Sequence, residues 1–393
     1  MFFRKANHFF RLQHIYFITG GGKPMLNRLY VDNFLCLVNF ELFLDKVNVL
    51  LGPNGCGKTS VLHVLHKLQY LIARGGKISE VLSAKDLTIS QDRNEQLFEL
   101  DLSFNGNSYR YSLNVEHYRN RSRIKILQES LMLNDKPIFE FKNGNAQLYH
   151  DDYTKGPEYP FDWSRSGVGA LNERPDNTKL SQFKYALSNF VVVSPCPPIF
   201  RPEARSEDNF LDPHMENFVG WYRHAAQENM GGISELFRAL GEALPDFESI
   251  SLTESGENSR ALKVNFRRHG DGRQLDRFGL LQLSDGQRAL IVLYSLLYLS
   301  TDRQMSLFID EPDNYLALRE VQPWLAEVDQ LCGDKLEQAV VISHHPTTID
   351  YLAGANGRWF FREGTGPVRV SNEPSKRIDG LSISETIARG WDK

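Results

Sequence analysis

Hydrophobic and polar positions follow two different periods along this chain, and the change of period marks its parts. Three short apolar runs between Leu29 and Leu51 predict β-strands, and the last of them, "VNVLL", leads straight into a glycine-rich turn. The next segment, "SVLHVLHKLQYLIA", has the three- to four-residue spacing of an amphipathic helix, with apolar positions at Val61, Leu62, Leu65, Leu68 and Leu71 or Ile72. The pattern therefore predicts a strand, a glycine loop and a helix in direct succession.

After the predicted helix the period falls to two, which is the period of a half-buried strand. Asn105-Gly106 and Asn143-Gly144 are dipeptides that favour tight hairpin turns, and alternating apolar residues flank both of them. We therefore predict an antiparallel β subdomain over about 90–150, inserted in the domain that carries the glycine loop.

The middle of the chain carries weaker signals. Residues 151–210 are rich in Pro, Gly, Ser and Arg, so we predict a linker with little regular structure there. Helical spacing returns from about 214 to 244, and the segment "LKVNFRRHGDGRQL" then predicts a hairpin with Asp271 and Gly272 in its turn. No sustained heptad pattern occurs in the sequence, so no long coiled-coil arm is expected.

These patterns divide the chain into three parts. We predict an N-terminal extension at 1–24, one α/β domain at 25–370, and a tail at 371–393. Within the domain, the β subdomain is followed by a linker and helical lobe at about 151–245 and by a third lobe at about 246–370.

Both ends of the chain leave a choice open. Met1 and Met25 are both compatible with the natural start, because ordered-looking sequence begins just after Met25. Near the other end, Ser382 and Glu385 have the spacing of a capping box and Gly390 follows as a stop signal, which predicts a short helix. This helix either packs on the body of the protein, which we favour, or docks an effector protein.

Composition narrows the class of protein. With 393 residues, 41% apolar and 24% charged, the sequence is that of a soluble globular protein. The longest apolar run, Ala289 to Ser300, is shorter than the roughly 18–20 residues of a membrane helix, and a net charge of −4 gives no general attraction for nucleic acid. The four cysteines lack metal-type spacing, which favours free thiols. We expect a cytoplasmic protein.

The glycine turn matches the phosphate-binding pattern GxxxxGK[ST] in "VLLGPNGCGKTSVL". In such a loop, backbone N–H groups close around phosphate, Lys58 meets the β and γ phosphates, and Thr59 ligates Mg²⁺. Alkylation of Cys56, which lies inside the motif, is expected to obstruct phosphate binding. The residues that we expect at the nucleotide are Gly52, Asn54, Gly55, Cys56, Gly57, Lys58, Thr59 and Ser60.

A P-loop requires an acidic partner on a second strand, and "SLFIDEPDNYL" supplies it. The run Leu307 to Ile309 predicts a buried strand that ends in two acids. Asp310 is expected to hold Mg²⁺ through water, and Glu311 to polarise the attacking water as the general base.

A second candidate anion site precedes this strand. In "LSDGQ" the residues Ser284, Gly286 and Gln287 begin an apolar helix, and a helix N-terminus attracts anions. The alternative is that Ser284 is simply the N-cap of that helix.

These motifs, in this order, resemble those of the ABC-type ATPases, which have a P-loop, an LSGGQ-like signature, a hydrophobic run with an acidic pair, and a switch histidine. The resemblance places the switch at His344 in "AVVISHHPTTID", with His345 as its neighbour. The signature departs from the family because Asp285 replaces its usual first glycine. Gln128, before the second hairpin, is our candidate for the family's Q-loop glutamine.

The long interval between P-loop and signature, its β subdomain and the loop "EPDNYL" resemble the SMC, RecF and OLD-like branch, and above all its stand-alone AAA_21-type ATPases. The resemblance runs from about Met25 to Leu352. It implies an α/β fold, namely an ABC-type ATPase head of the P-loop NTPase class with an inserted antiparallel β subdomain and a helical lobe. It also implies ATP and Mg²⁺ as ligands, with Lys58, Glu311 and His344 as the catalytic residues.

The same resemblance implies partners. In this family the signature of one subunit closes over ATP on the P-loop of another, so we expect an ATP-dependent homodimer. Many such ATPases act beside a nuclease or toxin in anti-phage operons, and we expect such an effector here. The alternative is a RecF- or SMC-like role at DNA. A transporter subunit, a nuclease and a non-hydrolysing scaffold fit the sequence less well.

One basic segment bears on nucleic acid. His117, Arg119, Arg121, Arg123 and Lys125 alternate through "HYRNRSRIK", and on an extended strand they would line one side. A solvated strand face or hairpin rim is the favoured interpretation, and contact of Arg119, Arg121 and Arg123 with a phosphate backbone is the alternative.

Overall fold

The computed structural model of the protein describes residues 24–118, 123–268, 271–300, 305–373 and 382–388. The strands are β1 (Met25–Asp32), β2 (Phe40–Phe43), β3 (Val47–Leu51), β4 (Glu95–Phe104), β5 (Asn107–Tyr118), β6 (Arg123–Leu133), β7 (Lys136–Lys142), β8 (Asn145–Tyr149), β9 (Lys155–Pro160), β10 (Phe190–Val193), β11 (Glu203–Ala204), β12 (Phe247–Glu254), β13 (Arg260–Arg268), β14 (Asp271–Gly279), β15 (Met305–Asp310), β16 (Leu336–Ile342), β17 (Gly357–Phe361) and β18 (Arg369–Ser371). The helices are α1 (Lys58–Ala73), α2 (Ile78–Val81), α3 (Gly167–Ala170), α4 (Thr178–Ser188), α5 (Phe218–Glu228), α6 (Met230–Ala243), α7 (Asp285–Ser300), α8 (Leu318–Leu331), α9 (Pro346–Asn356) and α10 (Ile383–Ala388).

A central six-stranded sheet has the order β10-β15-β16-β3-β17-β18. Its first five strands are parallel, and β18 pairs with β17 in the antiparallel sense. Strand β15 is buried at every position, as expected of a parallel strand that is covered on both faces. The predicted order of strand, glycine loop and helix is confirmed by β3 and α1.

Two hydrophobic cores lie on opposite faces of the central sheet. In β3, Leu50 belongs to the core formed with α1 and the antiparallel sheet, whereas Val49 and Leu51 belong to the core formed with α5 to α8. Neighbouring residues of a strand point to opposite faces, so one continuous apolar run serves both cores. The apolar stripe predicted for α1 is buried in the first core.

An eight-stranded antiparallel sheet covers α1 with the order β2-β1-β4-β5-β6-β7-β8-β9. Both predicted hairpins are confirmed, because Asn105-Gly106 connects β4 to β5 and Asn143-Gly144 connects β7 to β8, all four residues with positive φ. The strands of the predicted β subdomain share this sheet with β1 and β2, and the sheet continues to β9 beyond 150.

The prediction of little regular structure over 151–210 is wrong. This stretch contains β9, α3, α4, and β10, which pairs in parallel with β15 at the edge of the central sheet. The apolar run of β10, "FVVV", has only four residues, and periodicity cannot assign so short a run.

The predicted hairpin near residue 271 is formed by β13 and β14, but its turn is placed too late in the prediction. Arg268 pairs with Asp271, so Asp271 and Gly272 belong to β14 rather than to a turn. The predicted helical segment over about 214 to 244 is confirmed by α5 and α6.

The C-terminal helix packs on the body of the protein, as favoured by the sequence. The Glu385 backbone N–H donates to Ser382 Oγ at 3.2 Å, which confirms the cap, and Ser384 donates to the Asp350 carboxylate of α9. Gly390 lies outside the described residues, as does nearly all of the predicted extension at 1–24. Of the helices that the structure describes, none has the length and apolar character required to span a membrane.

Candidate nucleotide-binding site

A pocket of about 180 Å³ opens where the parallel strands β3, β15 and β16 end. Ligands in open α/β sheets bind at the carboxyl ends of the strands, because the loops converge there. The lining residues are Cys36, Asn54, Gly55, Gly57, Lys58, Thr59, Ser60, Glu311, Ile342 and His344. The structure thus unites three motifs that the sequence places up to 290 residues apart.

The P-loop backbone needs its glycines. Gly52 has a φ of +136°, and a Cβ atom there would lie 2.2 Å from the Phe360 carbonyl oxygen, so no side chain fits. Gly57, at the start of α1, has a φ of +88°, and a Cβ atom would lie 2.8 Å from Cys36 Sγ. These conformations turn the loop tightly around the N-terminus of α1, where unpaired N–H groups favour phosphate.

Lys58 lies inside the loop rather than in solvent. Its Nζ donates to the carbonyl oxygens of Gly52 at 2.7 Å and Pro53 at 3.1 Å, and the side chain is 5% exposed. Burial lowers the pKa of this ammonium, while the nearby Cys56, Asp310 and Glu311 oppose the shift. The cation is therefore held where the loop surrounds a phosphate.

Thr59 and Asp310 form the candidate magnesium site. Thr59 Oγ1 donates to Asp310 Oδ2 at 2.7 Å, and burial raises the pKa of that carboxyl against this hydrogen bond. Asp310 Oδ1 is buried and receives no hydrogen bond from the part of the chain that the structure describes. A hydroxyl and an unsatisfied carboxylate oxygen are the oxygen ligands that Mg²⁺ takes from proteins, with phosphates and water completing its shell. The residues present therefore fit the ion.

No group of three His, Cys, Asp or Glu side chains suited to a metal occurs among the described residues. A magnesium ion in this pocket would therefore depend on the substrate phosphates as well as on Thr59 and Asp310.

Glu311 has an unusual backbone conformation. Its φ is +48°, its N–H donates to the Ile342 carbonyl oxygen at 2.8 Å, and its Oε2 accepts from Asn314 Nδ2 at 2.5 Å. A left-handed conformation in a non-glycine residue costs on the order of 1 kcal/mol and persists where surrounding contacts enforce it. Here it directs the carboxylate of Glu311 into the pocket.

His344 faces Glu311 and Lys58 across the same pocket. Burial lowers the pKa of its imidazole, and the positive charge of Lys58 lowers it further, while Glu311 and Asp313 oppose the shift. The imidazole is therefore neutral at pH 7 and available both to donate and to accept a hydrogen bond. His345 does not line the pocket.

The signature residues lie outside this pocket. Ser284 caps α7, because its Oγ accepts from the Gln287 N–H at 3.2 Å and Gln287 Oε1 accepts from the Ser284 N–H at 3.0 Å. Gly286 lies close to the loop after β15, since a Cβ atom on Gly286 would be 2.9 Å from the Tyr315 carbonyl oxygen. Within one chain, the interpretation of Ser284 as an N-cap therefore holds.

Further predicted residues also do not line the pocket. Cys56 is 3% exposed and its thiol donates to the Pro53 carbonyl oxygen at 2.8 Å, so it lies beneath the loop. Gln128 lies in β6, paired with Asn114 and Lys142 in the antiparallel sheet. Gly52 shapes the loop without lining the cavity.

Sequence reasoning missed Cys36 as a pocket residue. It lies between β1 and β2, and its Sγ is 3.6 Å from Ser60 Oγ. No motif marks this loop, so only the three-dimensional structure shows that it borders the P-loop.

The basic residues do not lie along one extended strand. They flank a hairpin, as the favoured interpretation of a strand face or hairpin rim allows. Tyr118 pairs with Arg123, so the segment folds back as a hairpin between β5 and β6. His117 is buried, with Nε2 2.7 Å from Gln96 Oε1, and Lys125 pairs with Glu116 at 2.7 Å. Arg123 is exposed, whereas Arg119 and Arg121 lie outside the described residues.

Comparison with known proteins agrees with this site. The family model AAA_21, described as "AAA domain, putative AbiEii toxin, Type IV TA system", matches residues 47–350, which is well over half of the chain. The chain is 46% identical over 41 residues to an OLD nuclease of Thermus scotoductus, a match that covers 10% of this chain and 8% of the nuclease.

A solved structure shares the fold. An Smc head bound to the C-terminal winged-helix domain of ScpA superposes with a TM-score of 0.50 and 13% identity, over 92% of this chain and 99% of that one. At this identity the likeness concerns the fold alone. It supports the predicted α/β class of a P-loop ATPase head. The chain therefore belongs to the AAA_21 family.

Proposed function

We propose that this protein binds ATP with Mg²⁺ and hydrolyses it to ADP and phosphate. The observation that carries the proposal is the Thr59–Asp310 hydrogen bond at the edge of the P-loop pocket, which Thr59 lines together with Glu311 and His344. This combination supplies a phosphate cradle, oxygen ligands for Mg²⁺, a candidate base and a neutral imidazole.

Each side chain has a separate task in this proposal. Lys58 exchanges its carbonyl contacts for the β and γ phosphates, and the P-loop N–H groups hold the remaining phosphate oxygens. Glu311 accepts a proton from the water that attacks the γ phosphorus, while the bond to the β–γ bridging oxygen breaks and ADP leaves. His344 donates a hydrogen bond to the γ phosphate as its charge is redistributed. Mg²⁺ on Thr59 and Asp310 would neutralise phosphate charge.

The hydrolytic unit in this proposal is a dimer. Ser284, Gly286 and Gln287 lie at the N-terminus of α7 and do not line the pocket of their own chain. A second copy that presents this helix terminus to the γ phosphate would complete the site, because unsatisfied N–H groups there favour an anion. ATP would thus hold two copies together, and hydrolysis would release them.

We further propose that this ATP cycle controls an effector, a nuclease or toxin, in anti-phage defence in the cytoplasm. The support is the description of the matching family, which names a toxin system, and the short similarity to an OLD nuclease. A RecF- or SMC-like role at DNA is the second candidate. It is supported by the likeness to the Smc head and by the exposed Arg123.

One experiment addresses both levels of the proposal. Wild-type protein is assayed for Mg²⁺-dependent phosphate release from ATP, and Glu311→Gln is then purified from its host with ATP present. A co-purifying nuclease or toxin, absent with Lys58→Ala, supports effector control. DNA retained without a protein partner supports the second candidate. Wild-type protein that releases no phosphate contradicts the ATPase proposal itself.

A further inference from the structure

A buried carboxylate without a cationic partner lies behind the pocket. Asp313 is 5% exposed, and its Oδ2 accepts hydrogen bonds from Ser343 Oγ at 2.5 Å and Thr348 Oγ1 at 2.6 Å. Both hydroxyl residues are at most 1% exposed. Among the ion pairs of the described residues, none includes Asp313. A buried charge that relies on two neutral hydroxyls costs stability, so a specific role is worth seeking.

The position of these residues suggests that role. Asp313 follows Glu311 by two residues in the loop after β15, while Ser343 immediately precedes His344 in the loop after β16. Thr348 belongs to the first turn of α9. The Asp313 carboxylate therefore joins the loop that carries the proposed base to the loop that carries the proposed switch histidine.

The hydrogen bonds continue to the far side of His344. Ser343 Oγ donates its single proton to Asp313 and accepts from the His345 N–H at 2.9 Å. Since Thr348 is held by the same carboxylate oxygen, the backbone on both sides of His344 is tied to Asp313. Among the described residues, we identify one other hydrogen bond that joins Glu311 to the end of β16. It runs from the Glu311 N–H to the Ile342 carbonyl oxygen.

We propose that Asp313, through Ser343 and Thr348, is a positioning residue that fixes His344 relative to Glu311 and thereby sets the rate of ATP hydrolysis. Asp313 does not line the pocket, so we expect it to contact neither the nucleotide nor the attacking water. Its loss should leave the P-loop intact and affect catalysis rather than ATP binding. This inference rests on the proposed ATPase activity.

The test separates catalysis from binding in the full-length protein. Asp313→Ala should lower kcat on the order of 100-fold, because small misplacements of catalytic groups have effects of that size, while the ATP Kd changes less than about threefold. Asp313→Asn keeps an amide oxygen that can accept from the two hydroxyls, so it should recover a large part of kcat. An ATP Kd that rises in step with the fall in kcat would overturn the inference.

A double-mutant cycle tests the route of the effect. Ser343→Ala and Asp313→Ala break the same hydrogen bond, so the double variant should lose little more activity than Asp313→Ala alone. Effects on kcat that multiply would show that the two residues act independently, and this too would overturn the inference.

The matched control is a second buried carboxylate, which lies in β6 of the antiparallel sheet. Glu129 is 1% exposed and accepts from Tyr111 at 2.8 Å, Ser166 at 2.5 Å and the Gly167 N–H at 2.6 Å. Glu129→Gln should lower the melting temperature and leave kcat within about twofold of wild type. An equal loss of kcat in Glu129→Gln would indicate that the Asp313 variants lose activity through a general loss of stability and not through the position of His344. If wild-type protein hydrolyses no ATP, the proposed function fails first, which is a distinct result.

Discussion

Thr59 donates a hydrogen bond to Asp310 at 2.7 Å, although 251 residues separate them in the chain. The bond connects the first turn of α1 to the end of β15, and it leaves Asp310 Oδ1 buried without a protein donor among the described residues. The P-loop and the acidic strand are thus already joined by the side chains that would share one Mg²⁺ ion.

Replacing the Thr59 hydroxyl should remove the metal-dependent part of catalysis. Thr59→Ala should lower kcat/KM for MgATP on the order of 100-fold or more, because the ion supplies several kcal/mol of charge stabilisation in the transition state. Thr59→Ser keeps the hydroxyl and should stay within about tenfold of wild type. Phosphate release measured across a Mg²⁺ titration checks this. Equal activity of the Ala and Ser variants would remove Thr59 from the proposed metal site.

Glu311→Gln should trap an ATP-bound dimer. An amide cannot accept the proton of the attacking water, so bound ATP should persist and hold two copies together. Light scattering after size-exclusion chromatography should show twice the monomer mass with ATP and Mg²⁺, and the monomer mass with Lys58→Ala, which should not bind nucleotide. A Glu311→Gln protein that stays monomeric at saturating ATP would contradict the nucleotide-sandwich model.

Much of this site could be predicted from sequence because the P-loop, the acidic pair and the switch strand are local patterns with a physical requirement at each position. Gly52 and Gly57 illustrate this, since their positive φ values and close contacts exclude side chains. The Asn105-Gly106 turn was equally readable, because type I′ geometry needs positive φ at both residues.

The rest depends on tertiary contacts that no local pattern encodes. Strand β10 has too few residues for its period to be read, and it is identified only by its pairing with β15. The charges around Arg123 alternate as in a strand although the chain reverses there. The hydrogen bonds of Asp313 span 30 and 35 residues, so its partners could not be inferred from the sequence.

Thiol reagents should inhibit the ATPase through Cys36 and not through Cys56. Cys36 lines the pocket, whereas Cys56 is buried and burial raises the pKa of its thiol, which disfavours the reactive thiolate. N-ethylmaleimide should therefore inactivate wild type and Cys56→Ser, and MgATP should protect both. Cys36→Ser should resist the reagent.

Cys196 provides the control for labelling elsewhere, because it too is partly exposed but does not line the pocket. Cys196→Ser should remain as sensitive as wild type. Peptide mass spectrometry would identify the modified residue, and inhibition that survives Cys36→Ser would refute the assignment.

The pH profile of kcat/KM should be flat around neutrality. His344 has a pKa below the usual value of about 6.5, so the neutral imidazole persists at pH 7 and is lost only as the pH falls through that lowered value. Its protonation would place a second positive charge next to Lys58. The pKa of Lys58 is also lowered, so its ammonium should be lost at a pH below the usual value of about 10.4.

Phosphate release measured from pH 5 to 10 checks the fall of kcat/KM on the acid side and on the alkaline side of this profile. The ratio kcat/KM reports the ionisations of the free enzyme. The acid limb should be centred below about pH 6.5. His344→Gln should remove the contribution of His344 to this limb and leave that of Asp310, whose pKa is raised by burial. Thermal unfolding at each pH separates inactivation from denaturation. A kcat/KM that falls as the pH rises through the pKa of His344, and no longer does so in His344→Gln, would mean that His344 works as a cation, contrary to its burial beside Lys58.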